Sequence, residues 1–467
     1  MSQPLVSVII PAYNQSAFIG QAIHSVLDQT FPDWELIVVD DGSSDRTAEV
    51  VAQFDDPRLH YVFQENRGLP GARNRGIECA RGAHLAFLDA DDAFHPRKLE
   101  WHVAHLESDL EIGLSYASRI EMDHLGNPIW LLRAPAEVSL SDLVLGFPFS
   151  INDLLLRREW VERAGYFDES FRLHGEDRDF YLRLALEGCR FDRLDRFVAY
   201  RRLHARRQFS RIQERIDTMH RALDTVFDDP RCPMQVAELR NKAYAKIYLP
   251  WISQEFSQDE AELAREHLRQ AVALDPEVVG DGTGKRSLSN FFVWSAIRDG
   301  GEHEENLRKM FRGLPEEFAK IARYESWGIA RGYLIRGMQE GIWGRLEQGK
   351  AHFSQAVKLD AELDDYYLQQ LIDQLNSLEL ALGRASAEEA FRNLSPLLNQ
   401  VGKRAQLRFL HGYLAINQAF KDFQLGEYGR VPHNVLRAVV NDPQHLTDRG
   451  VLSIFARSLL GLGAGRS

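Results

Sequence analysis

The sequence predicts an α/β domain on a mostly parallel sheet, followed by a region that is entirely helical. Two observations carry this reading. Over roughly the first 100 residues, short β-branched apolar runs alternate with stretches whose apolar residues recur at helical spacing. That alternation is the signature of parallel strands covered by helices. Beyond about Ser210 the strand signals fade and long helical patterns take over. A chain of 467 residues also exceeds one ordinary core, so two or three domains are expected. The expected division is 1–215 for the α/β domain and 216–467 for the helical region.

Taken in order, Val6–Ala12 is a β-branched strand, and Ser16–Gln29 carries Phe18, Ile19, Ala22, Ile23, Val26 and Leu27 at helical spacing. Trp34–Val39 is a second strand, running into Asp40-Asp41-Gly42-Ser43-Ser44. Asp45–Phe54 reads as helix, Leu59–Phe63 as strand, Gly71–Ala80 as helix and His84–Leu88 as strand. Pro96 opens the next helix, where its missing N–H costs nothing. From about Gly113 the pattern changes. Apolar stretches at Leu114–Ala117 and Ile151–Leu156 lie among irregular segments, then a helix at Asp177–Glu187 and a strand at Phe197–Arg202 follow. Ligands of such sheets bind beyond the carboxyl ends of the strands, and Pro11–Asn14, Asp40–Ser43 and Asp89–Asp92 all sit at those ends.

Composition narrows the class. Hydrophobic residues at 44% and charged residues at 27% describe a folded, soluble chain. No apolar run approaches the ~20 residues that span a bilayer, and the first residues, Met1–Leu5, do not read as a secretory signal. Cys79, Cys189 and Cys232 are widely spaced and odd in number, suggesting neither a disulfide framework nor a zinc site. A reducing cytoplasm is the expected location. The net charge of −12 lies wholly in the first half: Met1–Pro230 holds 26 Lys+Arg against 38 Asp+Glu, and the remainder holds 30 of each. That sign argues against a nucleic-acid partner. The same half contains a single lysine, Lys98.

The strongest chemical signal is Phe87-Leu88-Asp89-Ala90-Asp91-Asp92. In extended backbone Asp89 and Asp91 point the same way, and like charges there call for a cation or hydrogen bonds. Magnesium or manganese takes one or two carboxylates plus diphosphate oxygens. In isolation the motif reads more readily as a solvated acidic turn capping the helix at Pro96. Its setting decides the matter: Ser7-Val8-Ile9-Ile10-Pro11-Ala12-Tyr13-Asn14, Val38-Val39-Asp40-Asp41-Gly42-Ser43-Ser44-Asp45, Asn66-Arg67-Gly68 and Gly71-Ala72-Arg73-Asn74-Arg75-Gly76. In this order, over roughly residues 5–210, the blocks resemble the inverting family 2 glycosyltransferases of GT-A fold.

The resemblance implies a nucleoside-diphosphate sugar, UDP-linked, as donor, held by Pro11, Ala12, Tyr13, Asn14, Asp40, Asp41, Arg73, Asn74, Asp89 and Ala90. Tyr13 and the backbone around Pro11 would pack on the base, and Asp41 would accept from a base N–H, with Asp40 near the nucleoside. Arg73 and Asn74 would lie near the diphosphate or donor sugar. Asp91 would bind Mg2+ or Mn2+ directly, Asp89 would face the ribose or a metal-bound water, and His204 would reach the metal or diphosphate. His174-Gly175-Glu176-Asp177-Arg178-Asp179-Phe180 is similar to the family's Glu-Asp motif. Asp177 is then the general base, and Glu176 orients it or touches the acceptor. Read without the upstream blocks, the same pair is a dipole-stabilising helix start. Seven arginines, 196, 201, 202, 206, 207, 211 and 215, follow this motif. They fit donor phosphates, an anionic lipid carrier, a membrane surface or a solvated helix face.

The second half says less about chemistry. His267–Pro276, His352–Ala361 and Asn434–Pro443 align on Asp275, Asp360 and Asp442 with Ala-Val at one offset. Each resembles the second helix of a tetratricopeptide repeat, and Gly412–Pro443 is the best complete hairpin. Spacings of 85 and 82 residues exclude an uninterrupted array, and a generic helical bundle accounts for the ends equally well. Asp281–Ser287 has only a superficial likeness to a phosphate loop and reads as a connector. The expected activity is inverting sugar transfer to the hydroxyl of a carbohydrate or glycolipid acceptor. The helical region would serve a protein partner, and the protein would lie in the cytoplasm, with peripheral contact to the inner membrane face. The alternatives are a nucleotidyltransferase, disfavoured because the first strand ends in Pro-Ala-Tyr-Asn, and a non-catalytic nucleotide-sugar-binding scaffold acting through its helices.

Overall fold

The structure is a computed structural model that describes residues 3–172, 174–204, 211–280, 282–285, 287–298 and 302–460. The chain begins with β1 (Val6–Ala12), α1 (Ile19–Leu27), β2 (Trp34–Asp40), α2 (Thr47–Val51), β3 (Leu59–Phe63), α3 (Gly68–Cys79) and β4 (His84–Phe87). These strands lie parallel in the order β3-β2-β1-β4. Ala12 stands opposite Asp40, and Ile9 opposite Phe87. Parallel register therefore delivers Pro11–Asn14, Asp40–Ser43 and Asp89–Asp92 to one edge of the sheet. The strands read as unbroken apolar runs because both faces are covered. Val8, Ile10, Leu36 and Val38 pack with Ile19, Ala22, Ile23 and Val26 of α1. On α3, a Cβ at Gly76 would stand only 2.3 Å from Ile9 Cγ2, so the glycine lets helix and strand close together.

The sheet continues through β5 (Ala93–Phe94), α4 (Lys98–Ser108), β6 (Ile112–Met122), β7 (Pro128–Leu132), α5 (Leu140–Leu145), β8 (Leu154–Arg157), α6 (Arg158–Ala164), α7 (Glu176–Leu186) and β9 (Arg190–Arg202). Beyond β4 the order is β8-β6-β9-β5, with β7 on β6. Here β6 and β9 are parallel and the other pairings antiparallel. Nine strands are thus joined in one sheet among the described residues.

Helices follow: α8 (Ile212–Phe227), α9 (Met234–Ala237), α10 (Arg240–Ser257), α11 (Ala261–Leu274), α12 (Leu288–Arg298), α13 (His303–Gly313), α14 (Ala319–Ala322), α15 (Glu325–Ile342), α16 (Leu346–Lys358), α17 (Asp365–Leu382), α18 (Arg384–Leu398), α19 (Arg404–Gln424), α20 (Val431–Asn441) and α21 (Arg449–Leu459). None among the described residues is long and apolar enough to cross a membrane.

By packing, the chain divides into Met1–Ile329 and Ala330–Ser467. The sequence-based line at 215/216 marks where strands stop. The packing line falls later because α8 to α13 share the first unit's interior. Trp294 of α12 meets Trp130 of β7 edge-on, 5.4 Å between centroids.

Within the second unit, α19 and α20 form the helical pair expected at Gly412–Pro443. Ala415, Ile416, Ala419 and Phe423 pack on Val431, Val435 and Ala438. Buried Asp422 accepts from Asn434 Nδ2 (2.7 Å) and Arg384 Nη1 (2.7 Å), pinning three helices at one point. Asp275 and Asp442 close their helices in the same way, each side chain accepting an N–H two residues on. Asp360 instead takes a left-handed φ of 53°. Only two of the three similar segments therefore share an ending.

Candidate active site

Three strand ends and the start of α7 converge on one polar region. At the end of β2, Asp40 and Asp41 are both buried. Asp40 accepts from Ser43 N (2.8 Å) and from the Tyr61 hydroxyl (2.7 Å). Asp41 accepts from Arg67 N (2.9 Å), Gly68 N (2.8 Å) and Gln64 Nε2 (2.6 Å). Asp40 therefore braces the β2 loop against β3, and Asp41 ties it to the start of α3. Asn14, at φ 53°, accepts from Ser44 N (2.8 Å) and joins the β1 and β2 loops. Tyr13, beside it, is 51% exposed and offers an open aromatic surface at the mouth. Pro11 and Ala12 are the last buried residues of β1.

The acidic segment after β4 is held from several sides. Asp89 N donates to Asn152 Oδ1 (2.8 Å), and Asn152 Nδ2 donates to Asp92 Oδ2 (2.5 Å) and Asp89 Oδ2 (3.3 Å). Asp92 also accepts from Arg202 N (2.6 Å), while Arg202 Nε donates to the Asp91 carbonyl (3.0 Å). Burial raises the Asp92 carboxyl well above its usual range, and Asp91 and Asp89 raise it further. Ala90 is buried between the two motif acids. Asp91 Oδ2 lies 2.6 Å from His204 Nε2.

Arg73 joins this segment to the second motif. Its guanidinium is 2% exposed, with Nη2 3.0 Å from Asp89 Oδ1 and Nη1 2.7 Å from Glu176 Oε1. Burial opposes its charge, but Asp89 and Glu176 outweigh that and hold it protonated. Its Nε–H finds no acceptor among the described residues. Neighbouring Asn74 is engaged elsewhere: Nδ2 donates to the Phe167 carbonyl (2.8 Å) and Oδ1 accepts from Phe167 N (2.9 Å). Both ends of that amide serve the fold.

Asp177 lies in the first turn of α7, and its Oδ1 accepts from Arg178 N (2.8 Å). Burial raises its pKa, with Arg73 pulling the other way and Asp89 adding to the rise. Glu176 is raised by burial and by Asp177, again opposed by Arg73. Both acids are thus better proton acceptors than ordinary surface carboxylates.

The residues suit a divalent ion in one particular way. Among the described residues no three His, Cys, Asp or Glu side chains form a ready-made cage. The protein offers Asp91 with His204, beside a carboxylate surplus that raises Asp92. That fits magnesium or manganese, which take one or two protein ligands and complete their shell with waters and phosphate oxygens.

The arginine series after the second motif does not act as one patch. Arg196 and Arg201 lie on β9, with Arg201 facing buried Glu121 at 3.5 Å. Arg202 is buried and spent on the acidic segment, on the His124 carbonyl (3.0 Å) and on Gln21 (2.6 Å). Arg211 pairs with Glu214. Residues 206 and 207 lie outside the described residues. The solvated-helix reading fails for the strand residues.

Sequence reasoning missed Asn152, Arg202 as a brace, and Tyr61. Asn152 sits in a single 3-10 turn, 63 residues from the acid it orients. No local pattern marks it. Asp92 stood in the motif without a role.

A phosphorylated donor at an acidic sheet edge, facing a carboxylate pair on a helix start, is the chemistry this arrangement accommodates. Residues 7–163 match the family model described as Glycosyl transferase family 2. The chain is 36% identical over 161 residues to a putative teichuronic acid biosynthesis glycosyltransferase, TuaG, of Bacillus subtilis, covering 34% of this chain and 64% of that one. It is 44% identical over 105 residues to the UDP-Glc:alpha-D-GlcNAc-diphosphoundecaprenol beta-1,3-glucosyltransferase WfgD of Escherichia coli, covering 22% of this chain and 42% of that one. The solved structure of S. aureus TarS 1–349 in complex with UDP aligns with a TM-score of 0.45 and 20% identity, over 69% of this chain and 91% of that one.

Proposed function

We propose that the protein is an inverting glycosyltransferase that moves a sugar from a UDP-linked donor to a hydroxyl of a carbohydrate or glycolipid acceptor. The observation that supports this best is Arg73, which bridges the donor-side acid Asp89 and the carboxylate turn at Glu176 in one buried contact. The family match over residues 7–163 supports the reaction class. The relative WfgD, named for a UDP-Glc donor and a lipid-diphosphate acceptor, supports the substrate class. A cytoplasmic location, at the inner face of the membrane where such an acceptor would lie, belongs to the same proposal, as does a protein partner for the helical region.

In this reading Tyr13 takes the nucleotide base and Arg73, through its unspent Nε–H, faces the diphosphate end. Asp91 and His204 would hold magnesium or manganese, with Asp89 beside them. When bound, that ion supplies Lewis-acid stabilisation of the departing diphosphate. Asp177 accepts the acceptor hydroxyl proton as that oxygen bonds to the anomeric carbon from the face opposite the diphosphate. The bond from the anomeric carbon to the diphosphate oxygen breaks, and its electron pair leaves with the nucleoside diphosphate. Glu176, anchored by Arg73, fixes the turn beside the base.

Screening UDP-, GDP- and TDP-linked sugars for nucleoside diphosphate release tests the reading. Turnover is expected with a UDP-linked donor, with loss in EDTA and in Asp91→Ala. Release that is indifferent to both would contradict the metal-assisted part, and no release from any donor with any glycan or lipid acceptor would contradict the class.

A further inference from the structure

We infer that α8 and α10, helices beyond the strand-bearing half, position the proposed catalytic carboxylate by gripping the turn His174-Gly175-Glu176-Asp177. The inference rests on the reading of Asp177 as base and assigns the first helices of the helical region a part in that reaction.

Two contacts from the helical side reach this turn and two more hold the residues that flank it. Gly175, the residue before α7, has φ +96°, a left-handed conformation that favours glycine. A Cβ there would also stand 3.2 Å from Met219 Sδ of α8, so α8 lies directly over the turn. His174 meets Trp251 of α10 edge-on, 5.9 Å between ring centroids. Thr225 of α8 donates to Asp179 Oδ1 (2.9 Å), whose other oxygen accepts from Arg183 Nε (2.9 Å). Arg221 of α8 donates to the Ser170 carbonyl (3.2 Å) and stacks over Phe171, just upstream of the turn. Arg178, next in the chain after the turn, donates to the Val144 carbonyl of α5 (2.5 Å).

The turn is therefore held by α8 and α10, with α5 bonded to the residue that follows it. Helix capping alone would need none of this. Asp177 draws one hydrogen bond from the backbone next to it, so its direction is set by where the turn is held. A proton acceptor displaced by about 1 Å can cost on the order of a hundredfold in rate. Donor contacts lie on β1, β2, α3 and the acidic segment, and α8 and α10 should leave them unchanged.

The test is kinetic, on the full chain. Trp251→Ala and Thr225→Val are compared with Trp251→Phe, measuring kcat, acceptor KM and UDP affinity by calorimetry. The expected result is a kcat about tenfold to a hundredfold lower in Trp251→Ala. UDP affinity should stay within about twofold and Trp251→Phe should recover most of the loss, since an edge-on aromatic contact survives that change. If Trp251→Ala does not fold, Thr225→Val, which keeps the side-chain shape, should show the same split in milder form. Wild-type kcat in folded Trp251→Ala and in Thr225→Val would overturn the inference. So would a loss of UDP affinity matching the loss of kcat. Should Asp177→Asn retain activity, the reading of the base fails instead, and that result is separate from any produced by the helix variants.

Discussion

At the scale of single residues, the site depends on who holds the acids. The paired aspartates were legible because Asp89, Ala90, Asp91 and Asp92 sit together at a strand end. The residue that orients them was not, because Asn152 comes from a turn distant in sequence and carries no local pattern. The same distance hides the bonds of Asp41 to Arg67 and Gly68, and of Asn74 to Phe167. Sequence order shows which residues share an edge, and only packing shows which are already committed. Asn152 is fully buried. Asn152→Ala should leave the Asp89 N–H and the Asp92 carboxyl each short of a partner. A cost of about 1–3 kcal/mol in urea unfolding is expected. If the acids are presented to a cation, manganese-dependent UDP binding should also weaken about 10–100-fold, the usual scale for losing a residue that orients metal ligands. Unchanged manganese dependence in a folded variant would remove Asn152 from that role.

At the scale of elements, the strands of the parallel half were legible almost residue by residue. Val6–Ala12 and Leu59–Phe63 agree, and Trp34–Val39 is extended only by Asp40. Continuous β-branched runs between turn residues leave little choice. Elements built from mixed sequence were harder. The expected strand Phe197–Arg202 begins at Arg190: Arg190–Arg196 has only Phe191 and Leu194 as apolar residues, three apart, and is drawn into the sheet by its pairing with β6. The two-residue strand Ala93–Phe94 exists only because β9 lies beside it. Helix α3 starts at Gly68 where Gly71 was expected. Pro70 falls in its first turn, where a missing N–H is tolerated, and Asp41 accepts from the Gly68 N–H. That starting point depends on a residue of another loop. Helix α7 was legible as a helix, but its contacts with α8 and α10 were not, since helical periodicity names a buried face without naming its partner.

At the scale of the whole molecule, composition located the change from strands to helices, whereas packing groups the residues up to Ile329 together. Strand signals end before 215, yet the first packing unit continues to Ile329. Trp294 against Trp130, and Arg298 3.9 Å from buried Glu121, tie α12 to β6 and β7. A chain ending near Ile329 should therefore fold and bind UDP, whereas one ending near 215 should lose the cover of α7 and aggregate or unfold. Thermal unfolding and UDP calorimetry on both truncations check this. A stable, UDP-binding chain ending at 215 would restore the earlier border. The proposed role of Asp177 as proton acceptor in sugar transfer is tested most directly by Asp177→Asn. Asn caps a helix as well as Asp does, and a general base acts in the transition state far more than in donor binding. UDP affinity by calorimetry and transfer rate are measured on the same protein. Near-normal affinity is expected, with transfer lower by about 10²–10⁴; near-normal transfer would remove Asp177 from the proton-acceptor role.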